Sequence, residues 1–407
     1  MSMISVEEAK NIVMKQQFIP KIENINIDDC MGRILAEDIL ADRSMPPFDR
    51  VTMDGIAINY NDIENGIRNW KVIKIQYAGE SASAISASGE CIEVMTGAVL
   101  PIGCDTIIRY EDLERMTNEN QENHFKLLES TVKLRQNIHA KGSDKKEGEI
   151  VLKNAQVIGA TDLALLATVG RLKVLVQKKV KVVVIATGDE LTQINVAPNE
   201  FQIRASNQKM IAAALNELGI ECVTYLMRDD LNELEELLEK CILQYDIIVL
   251  TGAVSKGKAD FIPFILNKLK VNQLFHGVAQ RPAKPFWFGR KENCIVFAMP
   301  GNPVSAAVCT YVYLIPFLKK TMGLKSIQHK VNVMELVNFK PSLTYFMQAK
   351  VSQNEAGKLE AIPNVGNGSG DLTNLSEINA FVALPAEEEK FDTNKLYEVY
   401  FTRNIIY

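Results

Sequence analysis

A chain of 407 residues, 47% apolar and 23% charged, carries apolar sequence for roughly two to four domain cores and too little compositional bias for disorder. A net charge of −5 excludes a broad electrostatic field for nucleic acid or membrane surfaces, so an anionic ligand must be held by local cations and backbone donors. Seven cysteines, scattered and never in CxxC spacing, predict free thiols rather than a disulfide framework or a zinc site. The acids of MSMISVEEAKNIV, and the lack of an apolar run long enough to cross a bilayer, give a cytoplasmic expectation with no membrane partner.

In chain order, Ser5 followed by Glu8 predicts a capping box that opens an amphipathic helix to about Lys15, with strand-like segments to Asp42. After Arg43 the text becomes SMPPFDRVTMDGIAINY, then short alternating strands near 70–77, 91–96, 106–110 and 125–128, spaced by Gly, Asn and Ser turns. That pattern predicts a β-rich insertion over residues 43–144, with the chain returning over 145–176 to the elements of 1–42. β-Branched runs at 180–185, 222–227, 246–251 and 294–298 then alternate with helical stretches at 208–218, 231–244, 262–269 and 303–322. The alternation predicts a parallel, doubly wound αβα domain over 177–323, whose ligands sit at the carboxyl ends of the strands. Renewed β-rich text over 324–407 predicts a small barrel or sandwich.

The strand ends carry the chemistry. In CIVFAMPGNPVS, an apolar strand runs into Gly301 for a tight turn, Asn302 as N-cap and Pro303 at the first helical position, leaving N–H donors and the positive helix end for a phosphate or oxyanion. A capped helix without a ligand reads the same way. Thr187-Gly188-Asp189-Glu190, Arg228-Asp229-Asp230 and Thr251 through Asp260 place carboxylates at three further strand ends, a cluster that repels itself unless a hard cation such as Mg²⁺ sits within it. Each of these acids is also an ordinary helix cap, and Asp230 and Asp260 both precede helical text. The glycine-flanked run with Ser255, Lys256 and Lys258 lacks P-loop spacing but offers a backbone cradle with cations. Arg281-Pro282-Ala283-Lys284-Pro285 sets two cations between stiffening prolines. The four histidines show no metal-ligand spacing, and neither Ser255 nor Ser305 has an evident His–Asp partner, which argues against a serine hydrolase.

Taken together, PPFDRVTMDGIAINY, MTGAVLPIGCDTIIRYED, ATGDEL, TGAVSKGKADF, RPAKPFWFG and MPGNPVS occur in the order and approximate spacing of the molybdopterin molybdenumtransferases, the MoeA and gephyrin E-domain family, which the chain resembles from about Ser5 to its end. The resemblance implies an extended first part, an inserted β-rich part, a molybdopterin-binding αβα part and a C-terminal β-barrel. It also implies a homodimer that inserts molybdenum from molybdate into adenylylated molybdopterin with Mg²⁺, releasing AMP. Carried over by position, it assigns Asp54, Asp189, Asp229 and Asp260 to an acidic catalytic set, the last three as metal ligands. It assigns Thr96, Ser255, Lys256, Arg281, Lys284, Pro300, Gly301, Asn302 and Ser305 to the loops around pterin and phosphate. Ala205, Ala253, Arg281 and Ala283 stand where the family commonly has Asp, Gly, Lys and Gly. Ala253 and Ala283 introduce a methyl where a positive φ or a close ligand approach favours glycine. These departures motivate an alternative, a molybdopterin-binding carrier or scaffold with altered catalysis. A third reading, a molybdopterin adenylyltransferase, shares the αβα domain but has no need of the Asp54-bearing half.

Overall fold

The computed structural model describes residues 3–16, 20–117, 121–254, 261–324 and 327–403. The chain forms two compact units, one of residues 1–23, 32–34 and 176–407, the other of 24–31 and 35–175. Among the described residues no helix is long and apolar enough to cross a membrane.

In the first unit a six-stranded sheet runs in the order Cys222–Met227, Val182–Thr187, Ile247–Thr251, Cys294–Met299, Trp287–Lys291, Asn272–His276. The first four strands are parallel, as the alternation predicts. The last two continue the sheet through antiparallel pairings and go beyond the parallel core. Every residue of Val182–Thr187, Ile247–Thr251 and Cys294–Met299 is buried, which is why these strands read as unbroken apolar runs: both faces are covered. Alternate side chains serve opposite faces. Val182, Val184, Val249 and Phe297 meet Ile211 and Leu215 of helix Asn207–Asn216, Val308 and Phe317 of the helix after residue 302, and Val6, Ala9 and Val13 of the N-terminal helix Val6–Lys15. Val183, Ile185, Ile248 and Leu250 meet Leu234 and Leu238 of helix Leu231–Gln244, and Ile262 and Ile265 of Ile262–Lys268. Helices that follow neighbouring strands thus lie on opposite faces, and a crevice opens between the ends of Val182–Thr187 and Ile247–Thr251.

The strands Thr344–Gln353, Leu359–Pro363, His329–Val333, Leu396–Phe401 and Ala380–Leu384 pair in succession and close back on Thr344–Gln353, forming a barrel. Its interior holds Val331, Met347, Val351, Val382 and Phe391. The short strand Gln280–Arg281 adds to the remaining edge of Thr344–Tyr345, so the αβα part hands one of its loops to the barrel. The long helix after residue 302 is α-helical over Pro303–Cys309, widens to a π-helix over Thr310–Leu314, and resumes over Ile315–Thr321.

In the second unit a six-stranded sheet has the order Thr106–Arg109, Gly55–Ile58, Glu90–Val94, Asn69–Gln76, Asn123–Leu127, Leu113–Thr117. Ile39–Leu40 pairs antiparallel with Ile150–Leu152. A Cβ at Gly55 would lie 2.0 Å from the Ile108 carbonyl oxygen, which makes glycine obligatory beside Asp54.

Candidate functional site

The ends of the central parallel strands, the 280–285 loop and barrel residues of the 343–348 and 365–370 segments line a cavity of about 970 Å³. That is the upper range for a site that holds a cofactor-sized molecule. Its base is made by backbone that no larger residue tolerates. Gly252 has φ +108°, and a Cβ there would meet the Thr187 carbonyl oxygen at 2.3 Å. Asn207 ties the base together, its amide donating to Thr251 Oγ1 at 3.1 Å and to the Gly301 carbonyl at 2.6 Å. Asn207 Oδ1 and Thr187 Oγ1 are buried without a hydrogen-bond partner among the described residues, and both residues line the cavity. Buried polar atoms are rarely left so, and a ligand with donors of its own would complete them.

Asp229 lines the cavity, and its backbone N–H donates to Asp189 Oδ1 at 3.3 Å; Asp189 itself is not among the described lining residues. Asp230 instead caps its helix, its Oδ1 accepting from the N–H groups of Asn232 and Glu233 at 2.9 and 3.0 Å. Glu190, quoted in the sequence only within its motif, also lines the cavity. Among the described residues no group of three His, Cys, Asp or Glu side chains is placed to hold a metal. Asp260, the third expected ligand, lies outside the described residues, as do Ser255 and Lys256.

The 301–305 junction differs from its expected form. Gly301 does not need a glycine: its φ is not left-handed, and a Cβ would make ordinary contact with Gly252 Cα at 3.5 Å. The Asn302 side chain does not cap the helix but donates to Ser369 Oγ at 2.9 Å. Pro303 has no N–H, and that of Val304 is taken by the Ser369 carbonyl at 3.1 Å. A barrel loop therefore supplies part of the cap, and the backbone N–H groups of Gly301, Asn302 and Ser305 are those left without a partner among the described residues. Pro300, Gly301, Asn302 and Ser305 all line the cavity.

Lys284, Arg281 and Arg204 supply cationic lining against Glu190 and Asp229. In a chain of net charge −5, the lining thus carries three cations beside two carboxylates. Lys284 is exposed and has no carboxylate partner among the described residues. Arg281 lies over the Phe339 ring, 5.7 Å from its centroid, and Phe339 stacks on Tyr345 at 4.5 Å. A guanidinium on an aromatic face is what arginine allows and lysine does less well. Ala253 and Ala283 hold φ values of +46° and +68°, so both loops keep the left-handed backbone despite the methyl groups.

Asp54 and Thr96 belong to the other unit, and they meet there. The Thr96 N–H and Oγ1 both donate to Asp54 Oδ1, at 2.6 and 2.7 Å. These donors, the backbone N–H first, hold the Asp54 carboxyl below its ordinary pKa. Tyr110, whose N–H bonds the Asp54 carbonyl, donates through its hydroxyl to Glu93 at 2.6 Å. Burial first, and Glu93 next, push the Tyr110 hydroxyl pKa up.

Three family models match in sequence: the MoeA N-terminal region (domain I and II) over residues 4–170, a "probable molybdopterin binding domain" over 183–320, and the MoeA C-terminal region (domain IV) over 330–401. A molybdopterin molybdenumtransferase of Synechocystis is 32% identical across 98% of this chain and 100% of its own length. One from Staphylococcus epidermidis is 33% identical across 98% and 96%. The crystal structure of a molybdopterin biosynthesis MoeA protein from Pyrococcus horikoshii superposes with a TM-score of 0.83 at 29% identity, covering 99% of this chain and all of the other.

Proposed function

This chain belongs to the molybdopterin molybdenumtransferase family, a group of transferases in molybdenum cofactor biosynthesis, and on that premise we propose that it moves molybdenum from molybdate into adenylylated molybdopterin with release of AMP. The observation that carries the reading is the cavity at the sheet's switch point, whose lining sets Lys284, Arg281 and Arg204 together with Glu190 and Asp229. Lys284, Arg281 and Arg204 hold the anionic groups of pterin phosphate and molybdate, helped by the unpartnered N–H groups of Gly301, Asn302 and Ser305. The unpartnered Asn207 Oδ1 and Thr187 Oγ1 receive donors of the pterin ring edge. Asp229, which lines the cavity, and Asp189, whose Oδ1 accepts from the Asp229 N–H, are the residues that would offer Mg²⁺ hard carboxylate oxygens beside substrate phosphates. When bound, it supplies charge neutralisation of the phosphoanhydride. Asp54, whose carboxyl Thr96 holds below its ordinary pKa, is the further catalytic carboxylate of this reading. We read the active assembly as a homodimer.

The retained left-handed backbone at Ala253 and Ala283 supports turnover over the carrier reading, because the loops that the substitutions were expected to distort keep their form. Purified protein incubated with adenylylated molybdopterin, Mg²⁺ and molybdate should release AMP in step with active cofactor. Tight pterin binding without AMP release would establish the carrier instead.

A further inference from the structure

We propose that Tyr313 and Gln280 are positioning residues for the anion-holding loop: the Tyr313 hydroxyl orients Gln280, and Gln280 clamps the Ala283 carbonyl so that Arg281 and Lys284 face the cavity. The inference deepens the transferase reading and rests on it for its substrates.

Ala283 holds φ +68°, a conformation its Cβ disfavours, so something outside the residue must keep it there. The Ala283 carbonyl accepts from Gln280 Nε2 at 2.9 Å, and Gln280 is completely buried. The other half of that amide, Oε1, accepts from the Tyr313 hydroxyl at 2.5 Å. Burial pushes the Tyr313 hydroxyl far above its ordinary pKa, so it remains a donor throughout the working range. Gln280 is also fixed from its backbone, pairing with Thr344 of the barrel and donating to the Val278 carbonyl, while the Lys284 carbonyl accepts from Val278 N–H at 2.9 Å.

Tyr313 reaches Gln280 from the π-helical stretch Thr310–Leu314. One extra residue in a turn rotates every later side chain by about 100° relative to a regular helix, so the widening sets where Tyr313 points. Such widenings recur near functional sites. The Tyr313 ring packs on Phe286 with centroids 4.9 Å apart, bracing the far end of the same loop. Neither Tyr313 nor Gln280 carries charge to the substrate. Their role is to hold Lys284, the residue after the clamped carbonyl.

The test is Tyr313→Phe, with Gln280→Met as a second variant that removes both bonds at similar volume. In the ligand-free protein, amide exchange over residues 277–286 should accelerate in both variants, while the sheet and barrel keep wild-type protection. In turnover assays the KM for molybdate should rise about tenfold with kcat within about twofold, the pattern of lost binding rather than lost chemistry. Glycine adopts the left-handed conformation without help, so adding Ala283→Gly to Tyr313→Phe should bring KM back to within about twofold of Ala283→Gly alone. Unchanged exchange over 277–286 overturns the clamp whether or not the protein transfers molybdenum. A fall in kcat at constant KM, or no rescue by glycine, overturns the positioning role even where exchange accelerates.

Discussion

At the residue scale, neighbouring positions in the Gly252–Ala253 turn make opposite demands. Gly252→Ala would drive a methyl against the Thr187 carbonyl, which is backbone at the centre of the sheet and cannot yield, so a loss of more than about 3 kcal/mol is expected for such an overpacked, strained site. For Ala253→Gly the terms nearly cancel. Relief of the left-handed conformation is worth about 1–2 kcal/mol. The freedom glycine adds to the unfolded chain takes back roughly 0.4–1 kcal/mol. Loss of a methyl that packs on the second core face removes up to about 0.8 kcal/mol more. The expected change in stability therefore lies between about −0.8 and +1.6 kcal/mol. Chemical denaturation of both variants checks the contrast, and equal losses would contradict it. The balance also explains how alanine stands at a position whose backbone suits glycine.

Asp54 allows a titration test. Its carboxyl pKa is lowered chiefly by the Thr96 N–H and secondarily by the Thr96 hydroxyl. A lowered folded-state pKa means that the stabilisation is present above the ordinary value of 3.8 and is lost as pH falls through the folded value. Thr96→Val keeps the N–H and removes the hydroxyl, so the smaller part of the displacement should disappear. Carboxyl NMR titration reads it, and a complete return to the ordinary value would mean that the backbone bond does not form. Neither donor was legible in sequence, where Asp54 and Thr96 are 42 positions apart and joined only by family resemblance.

At the scale of elements, Asp229 and Asp230 divide the two roles that a strand-end acid can play. Asp230 caps helix Leu231–Gln244 through two backbone bonds, so Asp230→Ala should lower stability by about 1 kcal/mol and leave Mg²⁺ dependence unchanged. Asp229→Asn should do the reverse, raising the Mg²⁺ requirement at nearly constant stability. Both effects falling on one residue would refute the division. Sequence left capping and metal binding open at this pair because an N-cap and a strand-end ligand look alike until the side chain's direction is known. The parallel strands were legible, since burial on both faces writes continuous β-branched runs. Trp287–Lys291 was not, because an antiparallel strand behind the proline-stiffened 281–285 loop reads as more loop. The π-helix left no pattern either: Val304 to Cys309 is buried throughout, and apolar residues on every side carry no periodicity to interrupt.

At the scale of the whole molecule, the cavity is assembled by tertiary structure that no local motif announces. Ser369 caps the helix after Asn302 from 67 residues away, within a glycine-rich segment whose residue types suggest only a turn. Arg281, Lys284 and Asp229 of the cavity lining were legible singly and Arg204 was not, and what sequence could not show was that residues of the predicted barrel close the cavity around them. Asp54 and Asp229 pose the remaining question, since they belong to different units of the chain. If both serve one transfer, Asp54→Asn and Asp229→Asn should each lower kcat/KM for molybdate by on the order of 10²-fold, the scale for removing one preorganised charge. The double variant should then be little worse than the poorer single, because groups that act as a unit lose their joint effect once either is gone. Asp54→Asn should also leave molybdopterin affinity intact, because it alters no residue that lines the cavity. Fully multiplicative losses would assign the two carboxylates to independent steps, and a loss of pterin affinity in Asp54→Asn would mean that this residue acts on binding rather than on transfer.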